Sequence, residues 1–374
     1  MSYKGLFKRF LTADPERLHF AAHSHHPWPD VSYVAHLQYW EDSARLMDDK
    51  WNHVFGRVVP ELRIRIAGVL GLPDPGTLVF APNTHELLVR LFSCLRPPVR
   101  VVTSDAEFHS FARQSRRWEE AGLASVTRVA AEPFATFPDR ISEAMGAADL
   151  VYLSQVFFDS GYIVQRLESI VAAAPADAWV VIDGYHAYMA FPLDLAPIAT
   201  RAFFLAGGYK YAMAGEGACF MHCPPGYGDR PPDTGWFASF GDLVRGSKGV
   251  PYADGGDRFW GATFDPSGLY RMLAVLKELE AAGIGPAVIA DHVQGLQRSL
   301  LERGPLPGAL LPPLELPRGN FLTFRTPHAD RMFGELHHRK VITDYRGDRL
   351  RIGFGIYQDP ADVQRLSDTI AAIG

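Results

Sequence analysis

The chain predicts an α/β fold with a mainly parallel sheet, and three observations carry that expectation. Between residues 78 and 222 short apolar runs alternate with amphipathic stretches at the spacing of strand–helix units. Helical periodicity flanks this region on both sides. Two of the apolar runs end in residues that carry chemistry, Asp183 and Lys210. In parallel sheets, ligands bind in the crevice beyond the carboxyl ends of the strands.

The elements follow in order. Residues 31–48 and 59–70 carry apolar side chains at helical spacing, and Gly71 and Pro73 mark the stop. The run 78–80 leads into a helix over 86–95, and 101–103 precedes an amphipathic 110–121. Run 150–154 precedes a helix over 167–174, and strands are expected at 180–183, 202–205 and 217–222. From 224 to 263 the chain is rich in Gly, Pro, Asp and aromatic residues without periodicity. That composition predicts a long functional loop region, because its aromatics need somewhere to pack. Two amphipathic helices over 269–282 and 285–301 follow, then strand-like runs at 321–324, 341–343 and 350–353, and a closing helix near 361–373. There is no internal repeat and no low-complexity segment.

Bulk properties bound the function. A length of 374 residues supports a large core and predicts two domains more readily than one. A net charge of −5 argues against nucleic-acid partners, whose binding faces are basic. No apolar run approaches the ~18 residues of a membrane span, so no membrane partner is expected. The N-terminal residues lack the apolar stretch of a secretory signal. Cys94, Cys219 and Cys223 are odd in number and unpaired in spacing, which predicts a reducing, cytoplasmic setting.

Lys210 is the most informative residue. It follows an apolar run and two glycines, and Tyr209 and Tyr211 flank it. Upstream, Trp179-Val180-Val181-Ile182 ends in Asp183, with His186 three residues on. A strand-end acid followed by a glycine-cradled lysine is what pyridoxal 5'-phosphate chemistry requires. The amine forms the Schiff base, and the carboxylate keeps the pyridine nitrogen protonated so that the ring accepts electrons.

On these residues the chain resembles the class V aminotransferase family of fold-type I pyridoxal-phosphate-dependent enzymes, and within it the kynureninases. The likeness runs from about residue 20 to the C-terminus. It rests on Asp183-x-x-His186, on Tyr209-Lys210-Tyr211, on Gly235-Trp236-Phe237 and on Leu350-Arg351-Ile352 followed by Tyr357. It implies a seven-stranded, mainly parallel large-domain sheet with a smaller α+β C-terminal domain. The implied divisions are an N-terminal segment over 1–30, a large domain over 31–265 and a small domain over 266–374.

The resemblance also implies roles. Lys210 is the Schiff-base lysine, Asp183 the partner of the pyridine nitrogen, and Tyr211 a proton donor. Phe108 stacks on the cofactor, with His186 and Trp236 beside it. Thr84, His85 and Tyr209 hold the phosphate, as does Thr263 from the neighbouring subunit of a homodimer with shared sites. A helix N-terminus at 84–85 suits an anion on physical grounds as well. Arg351 takes the α-carboxylate of a small amino-acid substrate in a bidentate pair, with Ser24, His25 and Trp236 near the substrate. The implied reaction is hydrolytic Cβ–Cγ cleavage of kynurenine or a related compound, with transamination, β-elimination or a non-enzymatic regulator as alternatives. Residues 224–374 contain no cysteine, unlike cysteine desulfurases, and Phe157-Phe158 matches the aromatic pair of kynureninases.

Other readings stay open at several positions. His186 could be structural, Arg351 could pair with Asp344 or Asp348, and Thr84 could only cap its helix. Trp236 is an interface anchor or a pocket wall. The segment His23-Ser24-His25-His26 departs from the Asn-Ser-Leu-Gly of kynureninases. Its three histidines have no cysteine nearby, so no metal is expected there.

Overall fold

A computed structural model describes residues 2–242 and 249–373. Residues 243–248, inside the aromatic-rich 224–263 stretch, lie outside the described residues.

The principal sheet has seven strands: β1 (Leu78–Ala81), β2 (Val99–Ser104), β3 (Ala124–Val129), β4 (Leu150–Ser154), β5 (Trp179–Asp183), β6 (Ala202–Gly207) and β7 (Cys219–His222). Their order is β1-β7-β6-β5-β4-β2-β3. Among the described residues, only β7 runs against the rest, pairing antiparallel with both β6 and β1. The β4, β5 and β6 runs read as continuous apolar stretches because helices cover both faces. Strand β3 and the helix after it were not expected from the sequence. Ala124–Val129 mixes polar with apolar residues because it is an edge strand, half-exposed along its length.

Helices α1 (Val31–Leu46) and α2 (Val59–Leu70) precede the sheet; α3 (Thr84–Ser93), α4 (His109–Glu120), α5 (Phe137–Ala144) and α6 (Leu167–Ala173) cross between its strands. Helix α3 begins two residues earlier than periodicity suggested, because Asn83 caps it by accepting from the Glu86 amide at 3.0 Å. Helix α7 (Ser267–Ala281) packs along α1 and contributes Leu269, Met272, Val275 and Leu279 to the same apolar core as the large sheet.

After α8 (Pro286–Arg303) comes a second, antiparallel sheet of β8 (Ala309–Leu311), β9 (Phe321–Arg325), β10 (Asp344–Arg346) and β11 (Arg349–Gly353), ordered β10-β11-β9-β8. Helices α9 (Ala329–His338) and α10 (Pro360–Ala371) complete this part. Its core joins Val293, Leu322, Phe324, Leu350 and Leu366 with Leu18 and Phe20 from the N-terminal segment. That segment is tied in by backbone pairing, with Leu18 and His19 parallel to Val341 and Ile342.

The aromatics of the 224–263 stretch do pack. Phe237 lies 4.8 Å from Phe55 and 5.0 Å from Trp51, ring centre to ring centre, and Trp260 meets Phe55 edge-on.

Candidate active site

Six parallel strands end on one edge of the large sheet, and β7 begins there. A cavity of about 500 Å³ lies beyond this edge. Into it project Ser154 and Asp183 from the ends of β4 and β5, Cys219 from the start of β7, and Tyr209 and Lys210 from the turn after β6. Phe108, Phe158, Tyr185, His186 and the α3 N-terminus (Thr84, His85) complete the wall. The turn is shaped by glycine at 207, where a Cβ would overlap the Tyr185 hydroxyl and the Cys219 sulfur.

Lys210 is buried, and its Nζ lies 2.6 Å from Nε2 of His186. Aromatic rings surround the amine: Tyr185 at 4.9 Å, Phe108 at 5.2 Å and Tyr209 at 5.6 Å to the ring centres. Burial lowers the amine to about 7; Asp183 opposes the shift and Arg351 adds to it. The same burial, with Lys210 and Arg351 nearby, holds His186 neutral, well below its ordinary range. Its Nδ1 is buried without a hydrogen-bond partner.

Asp183 is oriented from both sides. Oδ1 accepts from the Tyr185 amide at 2.9 Å, and Oδ2 accepts from the Tyr152 hydroxyl at 2.8 Å. Burial raises its carboxyl, against these donors and Lys210. Behind it, Glu107 accepts from Ser104 Oγ at 2.6 Å and from Ser154 Oγ at 2.5 Å. Burial pushes the Glu107 carboxyl up to about 7.

Thr84 is half-buried and His85 exposed at the first turn of α3. Of the first-turn amides, the Asn83 side-chain oxygen takes that of Glu86 and the Cys219 sulfur faces that of Thr84, and the helix N-terminus favours an anion. The donor set fits pyridoxal phosphate: a neutralisable amine, an oriented carboxylate, a buried imidazole nitrogen without a partner, and a helix N-terminus, all around one cavity.

Other expected residues lie further out. Arg351, in mid-β11, is buried behind Phe158. It donates to the Phe158 carbonyl and forms an ion pair with Asp344, the pairing expected as its alternative. Tyr211 is buried with its hydroxyl unpartnered and does not line the cavity. Trp236 donates its indole N–H to Thr263 Oγ1 at 3.1 Å, and both lie on the surface outside the cavity formed by this one chain. Ser24 is half-buried and also outside it. His25 is exposed at the mouth, 3.1 Å from Glu216.

The histidine segment diverges. His23 stacks on Phe321 (4.7 Å), His25 turns to Glu216, and His26 meets Tyr357 edge-on at 4.9 Å. Among the described residues no group of three or more His, Cys, Asp or Glu side chains is placed to hold a metal ion.

Sequence reasoning did not single out Tyr152, Glu107 or Tyr185 as parts of the site, and named His23 only as one member of its histidine cluster. The period-2 alternation that puts Ser154 at the sheet edge puts Tyr152 on the same face of β4, a signal within reach of the sequence. Nothing local separates His23 from His25 and His26, because its surroundings come from β9, β10 and β11.

No protein-family model matches the chain. Kynureninase of Deinococcus radiodurans is 30% identical over 238 residues, which span 60% of this chain and only 56% of that protein. Isopenicillin N epimerase of Streptomyces clavuligerus is 27% identical over 364 residues, 85% of this chain and 86% of that one. A solved structure of a C-DES variant with glycine covalently linked to its PLP cofactor superposes with a TM-score of 0.81 at 17% identity, over the whole of both chains. A cysteine desulfurase from Thermococcus onnurineus gives 0.80 at 16%, over 100% of this chain and 99% of that one. Likeness at such identity speaks for the backbone, and the strand order and cavity edge described above agree with it. The chain has the fold of these solved structures, the fold-type I architecture.

Proposed function

We propose that this protein is a pyridoxal-phosphate-dependent enzyme acting on a small amino acid, with kynureninase-like hydrolytic cleavage of a Cβ–Cγ bond as its reaction. One observation carries the cofactor reading. A buried lysine amine, lowered to about 7, shares a cavity with a carboxylate oriented by two donors and with the open end of a helix. Lysines elsewhere on a protein surface have no reason to be so arranged.

Lys210 would tether the cofactor, Asp183 would face its ring nitrogen, Phe108 and His186 would flank the ring, and Thr84, His85 and Tyr209 would hold the phosphate. When bound, that group supplies an electron sink for the bonds at the substrate Cα. The chain's residues do the rest. An amine lowered to about 7 takes and returns a proton at Nζ near neutral pH. His186 Nε2, 2.6 Å away, fixes where that amine points. Phe158 and Tyr185 line the cavity with apolar surface that limits water around the amine. Arg351 provides the guanidinium for the substrate carboxylate.

The hydrolytic reading is supported by the likeness to a kynureninase and by Phe158 on the cavity wall. The absence of cysteine from 224–374 removes a persulfide carrier in that part of the chain. A homodimer with shared sites belongs to the same reading. Thr263 lies outside its own chain's cavity, and α1 exposes Tyr33, Leu37 and Trp40 on one side. A cytoplasmic setting is supported by Cys94, Cys219 and Cys223 all being free. Among the described residues, no helix is long and apolar enough to cross a membrane.

The test is direct. Protein mixed with pyridoxal phosphate and reduced with borohydride should carry the label on Lys210. Kynurenine should then release fluorescent anthranilate and alanine. Pyruvate and ammonia would instead assign a β-elimination lyase, pyridoxamine phosphate a transaminase, and a label without turnover of any amino acid a binding protein.

A further inference from the structure

One face of the small sheet gathers charge. Strand pairing sets Asp344 opposite Arg351 and Arg346 opposite Arg349, and alternation along each strand puts these side chains on the same side. Arg349 is held by acids of the large domain, pairing with Asp159 and, at 3.0 Å, with Glu132. Glu132 also pairs with Arg325. Asp348 is largely exposed, 3.6 Å from Arg325 and 3.9 Å from Arg349, where solvent screens it. That leaves Arg346 and Arg351 with one acid between them. Asp344 Oδ1 accepts from Arg346 at 2.6 Å, and Oδ2 forms the ion pair with Arg351. Among the described residues neither guanidinium pairs with any other acid.

Two guanidinium charges therefore face one carboxylate, and one positive charge is left over. The neighbouring histidines do not alter this count. His23 comes within 3.8 Å of Asp344, and His109 faces Arg346, Arg351 and Asp344; burial first and the guanidinium groups second hold both rings below their ordinary range. The surplus charge has a donor ready for it. Arg351 spends Nη1 on the Phe158 carbonyl and Nη2 on Asp344, while its Nε is buried without a partner. A guanidinium carries more N–H groups than these two contacts use, so its Nε edge can receive a carboxylate with Asp344 left in place. No proton has to be taken up. Arg346 is the outer member of the group, its side chain 43% exposed against 4% for Arg351.

We propose that Arg346 is a positioning residue for carboxylate recognition: by sharing Asp344 it leaves the charge of Arg351 uncancelled, and the site selects amino acids with a free carboxylate over their amides. The inference rests on Arg351 being the carboxylate-binding residue of the proposed function. Without Arg346, Asp344 and Arg351 cancel, and an entering carboxylate meets a neutral pair whose acid repels it. Without Asp344, two uncancelled guanidinium groups face the ligand. With both removed, the net charge returns to that of the wild type.

Binding of alanine and of alaninamide to the pyridoxal-phosphate-loaded protein at pH 8, followed by the visible band, tests this. The readout is the ratio of the two affinities, because both ligands bring the same amine and methyl group. Arg346→Met should lower the preference for alanine about tenfold, the scale of one partly screened charge. Arg346→Lys keeps the charge and should retain the preference. Asp344→Asn should raise it, and Arg346→Met combined with Asp344→Asn should return it to the wild-type range, which a loss of packing would not do. An unchanged preference in Arg346→Met would overturn the proposal, as would a folded double variant that regains nothing. If Asp344→Asn does not fold, the lysine variant decides: a loss equal to that of Arg346→Met sinks the charge argument. Borohydride labelling and Arg351→Met score the reading beneath. A protein unlabelled at Lys210, or one whose preference is absent or survives Arg351→Met, sinks that reading. A labelled protein that loses the preference in Arg351→Met and keeps it in Arg346→Met sinks only this inference.

Discussion

The Tyr152 hydroxyl donates to Oδ2 of Asp183 at 2.8 Å, joining two adjacent parallel strands at the edge where the cavity opens. The Tyr152 ring is itself held, stacked on Phe111 at 3.6 Å. The carboxylate that would face the cofactor is therefore aimed by a side chain whose position is set by the core.

Tyr152→Phe keeps the stack and removes only the donor. A hydrogen bond to a charged group is worth roughly 1.5 kcal/mol or more, about tenfold in affinity. Pyridoxal phosphate should bind about tenfold more weakly to the variant, read from the visible band on titration. An unchanged affinity would mean that Asp183 takes its orientation from the Tyr185 amide alone.

Lys210 makes folding of the cofactor-free protein depend on pH. Its ordinary value is 10.5 and its folded value about 7, so between these the unfolded chain holds a proton that the folded chain does not. Its contribution to stability therefore grows as pH rises from about 7 towards 10.5, and the cost of a buried ammonium is fully felt below 7. Against Lys210→Met, wild type should gain in urea midpoint as pH is raised from 7 to 10. A difference that stays flat across this window would show that the amine is not desolvated.

Glu107 has the opposite sign. Its carboxyl is raised from an ordinary 4.5 to about 7, so the folded protein holds a proton that the unfolded chain has released. The stability this contributes is complete below about 4.5 and is lost as pH rises through 7, on the order of 3 kcal/mol for a group so buried. Glu107→Gln keeps the shape and one carbonyl acceptor beside Ser104 and Ser154 but cannot titrate, so it should abolish that part of the decline between pH 5 and 7.5, seen in melting curves. Parallel declines in both proteins would place the titration elsewhere.

Much of this architecture was legible before any coordinates. Strands β4, β5 and β6 announced themselves as short apolar runs because both faces of each are covered. Asp183 and Lys210 stood out because strand-end residues in a parallel sheet share one edge. Strand β3 stayed hidden because an edge strand half-exposed to solvent carries no clean alternation, and α5 was missed with it. Thr84 and His85 were reached through the family resemblance, and the cap of their helix is Asn83 rather than Thr84.

By itself, the chain's sequence determined the α/β class, the strand–helix register and the pairing of an acid with a lysine at one sheet edge. These depend on local periodicity and on the side to which parallel strands point. Only the tertiary structure decided that Arg351 is already answered by Asp344, that His23 rather than His25 is buried against them, and that Tyr152 holds Asp183. Those contacts join residues from separate strands or from opposite ends of the chain, and their energies depend on burial, which no local pattern of residues encodes.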